Sequence, residues 1–329
     1  MPAKKRNPFG AVLRLNAQNS RYLAQVDRDV AQAIQKGYEA ARNEVLGIVE
    51  EQRRYTQLRY PKAVDREIAR ELARNELMLA QVEARSYALR SWILGTTPET
   101  WRDVMRNGAA FAGEQLGIAE ETKGIRLGFN LALVDFNSVE FGLEEALRLL
   151  DQSQTATAAA LRSGLRMGLI QGESFDDMVR RLMGKDASVF SRGATSAMLG
   201  ARRNVIYANN AGRDTVYKTW GARIPGLMKQ AIAAIDERTT DCCLRVHGQV
   251  RALNQPYELA GEPRFADRMD YPPFHWNCRT SSVAYMREWE DSAITTEMMT
   301  DAARAELEAR DQGLEEIHPA HATSGRGDE

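Results

Sequence analysis

An apolar stripe at mostly i,i+4 spacing runs through residues 18–50, carried by Tyr22, Val26, Val30, Ile34, Tyr38, Val45 and Val49 between charged faces. That period belongs to an amphipathic helix and not to a strand. Tyr60-Pro61 interrupts the stripe, and Val64, Ile68, Leu72, Leu79 and Val82 resume it. Strict heptads are absent, so the stripes read as helix-on-helix packing rather than as a long intermolecular coiled coil. Thr97-Pro98-Glu99 reads as an N-cap followed by proline at the first helical position. Gly108, Gly113, Gly117, Gly124, Gly128 and Gly142 punctuate the next segment, which reads as loops and helix ends and carries no phosphate-loop pattern. Helical character returns at 143–168. In "GESFDDMVRRLMG", Gly172 acts as a stop, Ser174 as N-cap and Asp177 stands at the capping-box position. A further helix is expected over 194–220.

After Trp220 the periodicity changes. "IPGLMKQAIAAI" offers a short apolar run suited to a strand, and prolines and turn residues then dominate to about 280. The expected fold is therefore mainly α. A helical region spans 1–168, a small turn-rich α+β module spans 169–290, and a short helical acidic tail spans 291–329.

Charge narrows the function classes. The formal net charge is -1, which argues against a protein built chiefly to neutralise nucleic-acid phosphates. Residues 1–15 carry Lys4, Lys5, Arg6 and Arg14 with no acid, and residues 287–329 carry twelve acids against four arginines. Both ends read as solvated, and the tail has few apolar anchors. No apolar run reaches the roughly 18 residues needed to cross a bilayer, so no membrane contact is expected. The start has no apolar stretch adequate for a signal peptide. With an odd number of cysteines, a large chain of this kind is expected in a reducing cytoplasm without disulfides.

The chain has three cysteines and four histidines, and most of them crowd into two short segments, "DERTTDCCLRVHG" (236–248) and "YPPFHWNCRT" (271–280). Cys243-x3-His247 and His275-x2-Cys278 supply two closely spaced ligand pairs, the arithmetic of a structural tetrahedral zinc. The alternative is that these residues are buried apolar and hydrogen-bonding groups that stabilise a turn-rich module. Neither H-x-E with P-C-x-x-C nor H-E-x-x-H is present, so no catalytic site is assigned. Around the pairs, Asp236 and Arg238 can bond each other or the backbone, Thr239 can cap, and Arg279 offers a five-donor fork for closing loops.

These residues resemble the hallmark of the phage Mu protein F-like minor head proteins, also described as phage head morphogenesis proteins. That hallmark is similar to D-x-R-T followed by Cys and a His/Asp-Gly step, then P-P-x-H-x-x-C-R. Here it falls on Asp236, Arg238, Thr239, Cys243, His247, Gly248, Pro272, Pro273, His275, Cys278 and Arg279. Upstream, "GLIQGESFDDMVRRL" and "GARRNVIYANNAGRD", with Ala208, Asn209 and Asn210, are also similar to the family, so the resemblance covers about 165–285. The chain departs from the family where many relatives carry two further cysteines, here Thr240 and Thr280, and where Arg203-Asn204 replaces a Thr-Glu step. Cys242 has no counterpart in the pattern.

The resemblance implies a low-copy structural protein of the phage or prophage head. It would sit in the virion near the portal, be assembled in the host cytoplasm, bind portal or major capsid protein, and catalyse nothing. Two other readings compete with it. One is a metal-dependent enzyme or toxin using the Cys/His module, for which Asp270 and Glu262 are the nearby acids. The other is a protein that contacts the packaged DNA through the basic first residues.

Overall fold

Asn7 opens the first helix by accepting the N–H of Gly10 on its carboxamide oxygen (2.9 Å). Pro8 follows at the first helical position, where its missing N–H costs nothing. A computed structural model describes residues 7–64, 67–68, 70–71, 76–171, 173–184, 188–259, 267–290 and 295–317. Lys4, Lys5, Arg6, Leu72, Gly172, Glu262 and the end from 318 lie outside the described residues, as do the side chains of Leu79 and Val82.

The chain is mainly α. Five helices come first: α1 (Pro8–Arg59), α2 (Glu76–Lys123), α3 (Asn137–Ile170), α4 (Phe175–Met183) and α5 (Val189–Thr219). The described strands all fall between 228 and 285: β1 (Met228–Ile232), β2 (Val250–Ala252), β3 (Tyr257–Glu258), β4 (Arg268–Met269) and β5 (Ser281–Tyr285). A short helix, α6 (Asp241–Val246), interrupts them, and α7 (Thr296–Ile317) follows. Among the described residues no helix is long and apolar enough to cross a membrane.

Several local expectations change. The basic head is no solvated arm from residue 8 onward, because Phe9 and Val12 are fully buried on α1. α2 runs on through Thr97 and Pro98 and through Gly108, Gly113 and Gly117, while Gly142 lies inside α3. The buried face from Val104 to Ala119 outweighs those local stop signals, since packing routinely overrides propensity. Only Gly124 and Gly128 of that series adopt positive φ, as turns require. Val64 is exposed, whereas Ile68 is buried.

The chain divides into two compact units, each assembled from separated stretches. One comprises 24–102 and 140–204, the other 1–23, 103–139 and 205–329, so the division does not follow the linear boundaries at 168 and 290. In the first of these, Ile34, Tyr38, Val45 and Val49 of α1 are buried, as are Leu161, Leu165, Leu182 and Phe190. Each such aliphatic side chain removed from water contributes roughly 1.5–3 kcal/mol. Ser174 caps α4 by accepting the N–H of Asp177, and its own hydroxyl donates to the Asp177 carboxylate at 2.7 Å.

The other unit holds the sheet, in the order β2-β1-β5 and antiparallel throughout. β3 and β4 pair separately as a short ribbon. Helices α2 and α5 approach until their backbones touch. A β-carbon on Gly108 would stand 2.1 Å from the carbonyl oxygen of Asn209, and one on Gly212 would stand 2.1 Å from that of Met105. The apolar core beneath the sheet includes Phe9, Leu116, Val216, Ile224, Val283 and Trp289.

β5 is an edge strand, and helix side chains satisfy its outward backbone groups in place of a fourth strand. Gln115 accepts the N–H of Ala284 (2.9 Å) and Asn210 accepts that of Ser282 (3.1 Å). Arg213 donates to the Ser282 carbonyl (2.8 Å) and to Asn16 (3.0 Å).

Candidate metal centre

Residues 236–243 fold as a tight turn that opens α6. The Asp236 carboxylate accepts the N–H of Arg238 (3.0 Å), and the Asp236 carbonyl accepts the N–H of Thr239 (2.9 Å). Thr240 then stands at the N-cap of α6, which places Cys242 and Cys243 in its first turn. The second segment arrives through a cis Pro272-Pro273 bond. Phe274 is buried edge-on to Tyr257, with ring centroids 5.9 Å apart. A turn follows, closed by the N–H of Cys278 on the carbonyl of His275 (3.2 Å).

The two segments meet at the cysteines. His275 Nε2 lies 2.9 Å from Cys243 Sγ and 2.8 Å from Thr240 Oγ1. Cys243 and Cys278 hold their sulfurs 3.7 Å apart, and Cys242 Sγ is 3.2 Å from Thr240 Oγ1. Donor atoms of Cys242, Cys243 and His275 all lie within 4.8 Å of one another. The three cysteines are free thiols, and all four residues are buried.

Of the four ligands expected from spacing, Cys243, His275 and Cys278 come together, and His247 does not join them. His247 is the C-cap of α6, its N–H closing the last turn on the carbonyls of Cys243 (3.1 Å) and Leu244 (3.2 Å), but its ring is engaged elsewhere. Its Nδ1 instead accepts the N–H of Ala233, 2.9 Å away. Burial holds the His247 imidazole below its ordinary pKa, which suits a neutral acceptor. Gly248 follows with φ +80°, donating its N–H to Ala231. Cys242, adjacent in sequence to Cys243, takes the vacated place in the cluster.

The thiols are not equivalent. The hydrogen bond with Cys243 lowers the Cys242 thiol to about 6, against the effect of its burial. Bonds from Cys242 and Cys278, together with burial, push the Cys243 thiol up. At Cys278 burial opposes ionisation, but bonds from Cys243 and His275 prevail and hold its thiol well below the ordinary value.

A charged clasp flanks the cluster. The guanidinium of Arg279 grips both carboxylate oxygens of Asp236, Oδ2 at 2.6 Å, and donates to Thr239 Oγ1 (3.0 Å). Thr239 in turn donates to the Ala234 carbonyl at 2.7 Å. The Arg279 bonds hold the Asp236 carboxyl well below the usual carboxylate range. Arg238 contributes its backbone N–H while its side chain is exposed. From α7, Arg310 donates to the carbonyls of Thr239 (2.6 Å) and Asp236 (2.9 Å) and to the Asp241 carboxylate.

Comparison with known protein families, curated proteins and solved structures finds no match for this chain.

Spacing alone did not find Cys242, nor the buried polar groups behind the sheet. Asn19 and Asn209 form a reciprocal amide pair at 2.9 and 3.1 Å. Lys229, buried on the central strand, donates to the Asp270 carbonyl (2.8 Å) and lies 3.6 Å from the Asp214 carboxylate. Burial lowers the Lys229 pKa and raises that of Asp214. The Asp270 carboxylate is engaged by Lys218 at 2.7 Å. The one available signal was a polar residue falling on an otherwise apolar helical face, as Asn209 and Arg213 do on α5.

Proposed function

We propose that the chain is a structural minor head protein of a tailed phage or prophage, acting by binding and scaffolding without turnover, as its resemblance to Mu protein F-like proteins implies. One observation supports this reading best: the motif residues are spent on joining chain segments to one another. Asp236, Thr239 and Arg279 clasp two segments, the Cys/His cluster joins the same two, and Asn210 and Arg213 of the upstream stretch hold β5. A motif whose side chains bond each other is suited to building a rigid surface for portal or capsid protein. The nearby acid described, Asp270, is committed to Lys218. An enzyme or toxin reading would instead want an acid or base standing free beside the cluster.

Deletion of the gene from the phage or prophage that carries it tests the proposal. The expected phenotype is loss of viable particles with head assembly defective, restored by the gene in trans. Normal heads and undiminished particle yield without the protein would overturn it.

A further inference from the structure

We propose that Cys242, Cys243, His275 and Cys278 form a structural zinc site that staples the two turn-rich segments of the module together. Three thiols and one imidazole make up a Cys3His set, a standard closed donor set for tetrahedral zinc and too soft for magnesium or calcium. All four residues are buried, as a closed site requires. The geometry agrees with the chemistry. Cys243 Sγ and Cys278 Sγ are 3.7 Å apart. Two sulfurs each about 2.3 Å from one tetrahedral zinc stand about 3.8 Å apart. Cys242, Cys243 and His275 already place their donors within 4.8 Å of one another. His275 Nε2, at 2.9 Å from Cys243 Sγ, needs to move out by well under 1 Å to reach the roughly 3.6 Å of a zinc-bound S···N pair.

A hydrogen bond to Thr240 Oγ1 accounts for the aim of His275 Nε2, but it gives no reason for three buried thiols to gather beside that nitrogen. A disulfide would use two of the three sulfurs and leave the third thiol and a His275 nitrogen bonded only to Thr240. Zinc uses all four. On binding, each thiol still protonated releases its proton and forms a zinc–sulfur bond, and the neutral imidazole donates its Nε2 lone pair. The site closes the loop between Cys243 and His275, so binding energy appears directly as folding energy. The inference is independent of the head-protein reading, because it is tested on the purified chain rather than on particles.

The test is elemental analysis of the full chain, purified without chelator from zinc-containing medium, followed by cobalt substitution and thiol counting. The expected result is about one zinc per chain, as for a closed structural site. Chelation should lower the melting temperature. The cobalt form should show sulfur-to-cobalt absorption of the intensity of three thiolates. Cys242→Ser should lose metal, while His247→Gln should keep it. A metal-free chain whose melting ignores chelator would overturn the proposal. So would a Cys243–Cys278 disulfide found by thiol counting, or a cobalt spectrum with two thiolates, which would return the ligand set to His247. Because the cobalt spectrum is read on the wild-type chain, the ligand set stays testable even where a variant fails to fold.

Discussion

Asp236 receives two N–H groups from Arg279 and the backbone N–H of Arg238, so its ionised form is the one the fold uses. Its folded pKa is depressed below the ordinary value of about 3.9. The stabilisation is therefore fully present above the unfolded pKa and is lost as pH falls through the folded one. Both partners are partly exposed, so solvent screens the pair and Asp236→Asn should cost only about 0.2–1 kcal/mol near neutrality. Denaturant unfolding at a series of pH values should show that gap constant from neutrality down to about pH 5, then closing in stronger acid. A gap that widens on acidification would contradict the assignment. At this scale the sequence was partly legible. Spacing picked out Cys243, His275 and Cys278 because close pairs in turns are what a cross-link needs. It misplaced His247 because spacing shows which residues are near in the chain and not which partner takes the ring, here the N–H of Ala233.

Helix periods were the most legible feature, since a long stripe averages over local exceptions. α1 and α5 appear where the stripes run, and Ser174 caps α4 as its spacing indicates. Glycines misled, because a glycine inside a helix marks a close neighbour as readily as a break, and the sequence does not show the neighbour. α2 allows the two cases to be compared. At Gly108 an added β-carbon would meet the backbone of Asn209, while at Gly117 it would meet nothing within 4 Å. Gly108→Ala should therefore destabilise by about 1–3 kcal/mol or more, as overpacking does. Gly117→Ala should stabilise by up to about 1 kcal/mol through helix propensity. Thermal unfolding of the two variants checks both signs, and a stabilising Gly108→Ala would refute the backbone contact between α2 and α5. α7 also departs from expectation. Its acidic composition suggested little anchorage, yet Ala303 is buried and Arg310 bonds two carbonyls of the clasp. One well-placed arginine supplies what apolar composition does not.

At the scale of the whole chain, fold class was legible and unit composition was not. Composition and period fix a mainly helical chain with a small sheet. They do not reveal that residues 1–23 and 103–139 belong with the sheet-bearing unit. Such long-range pairings rest on side chains such as Gln115 and Asn16, whose partners on β5 and α5 lie 169 and 197 residues away along the chain. The near-neutral net charge supplies no general attraction for phosphates. The central claim, a structural place in a phage head, is tested most directly by quantitative mass spectrometry of gradient-purified, portal-containing proheads. The account predicts that the chain co-purifies with the portal, at a copy number far below that of the major capsid protein. Recovery of the chain only as free protein, with none in the particles, would contradict it.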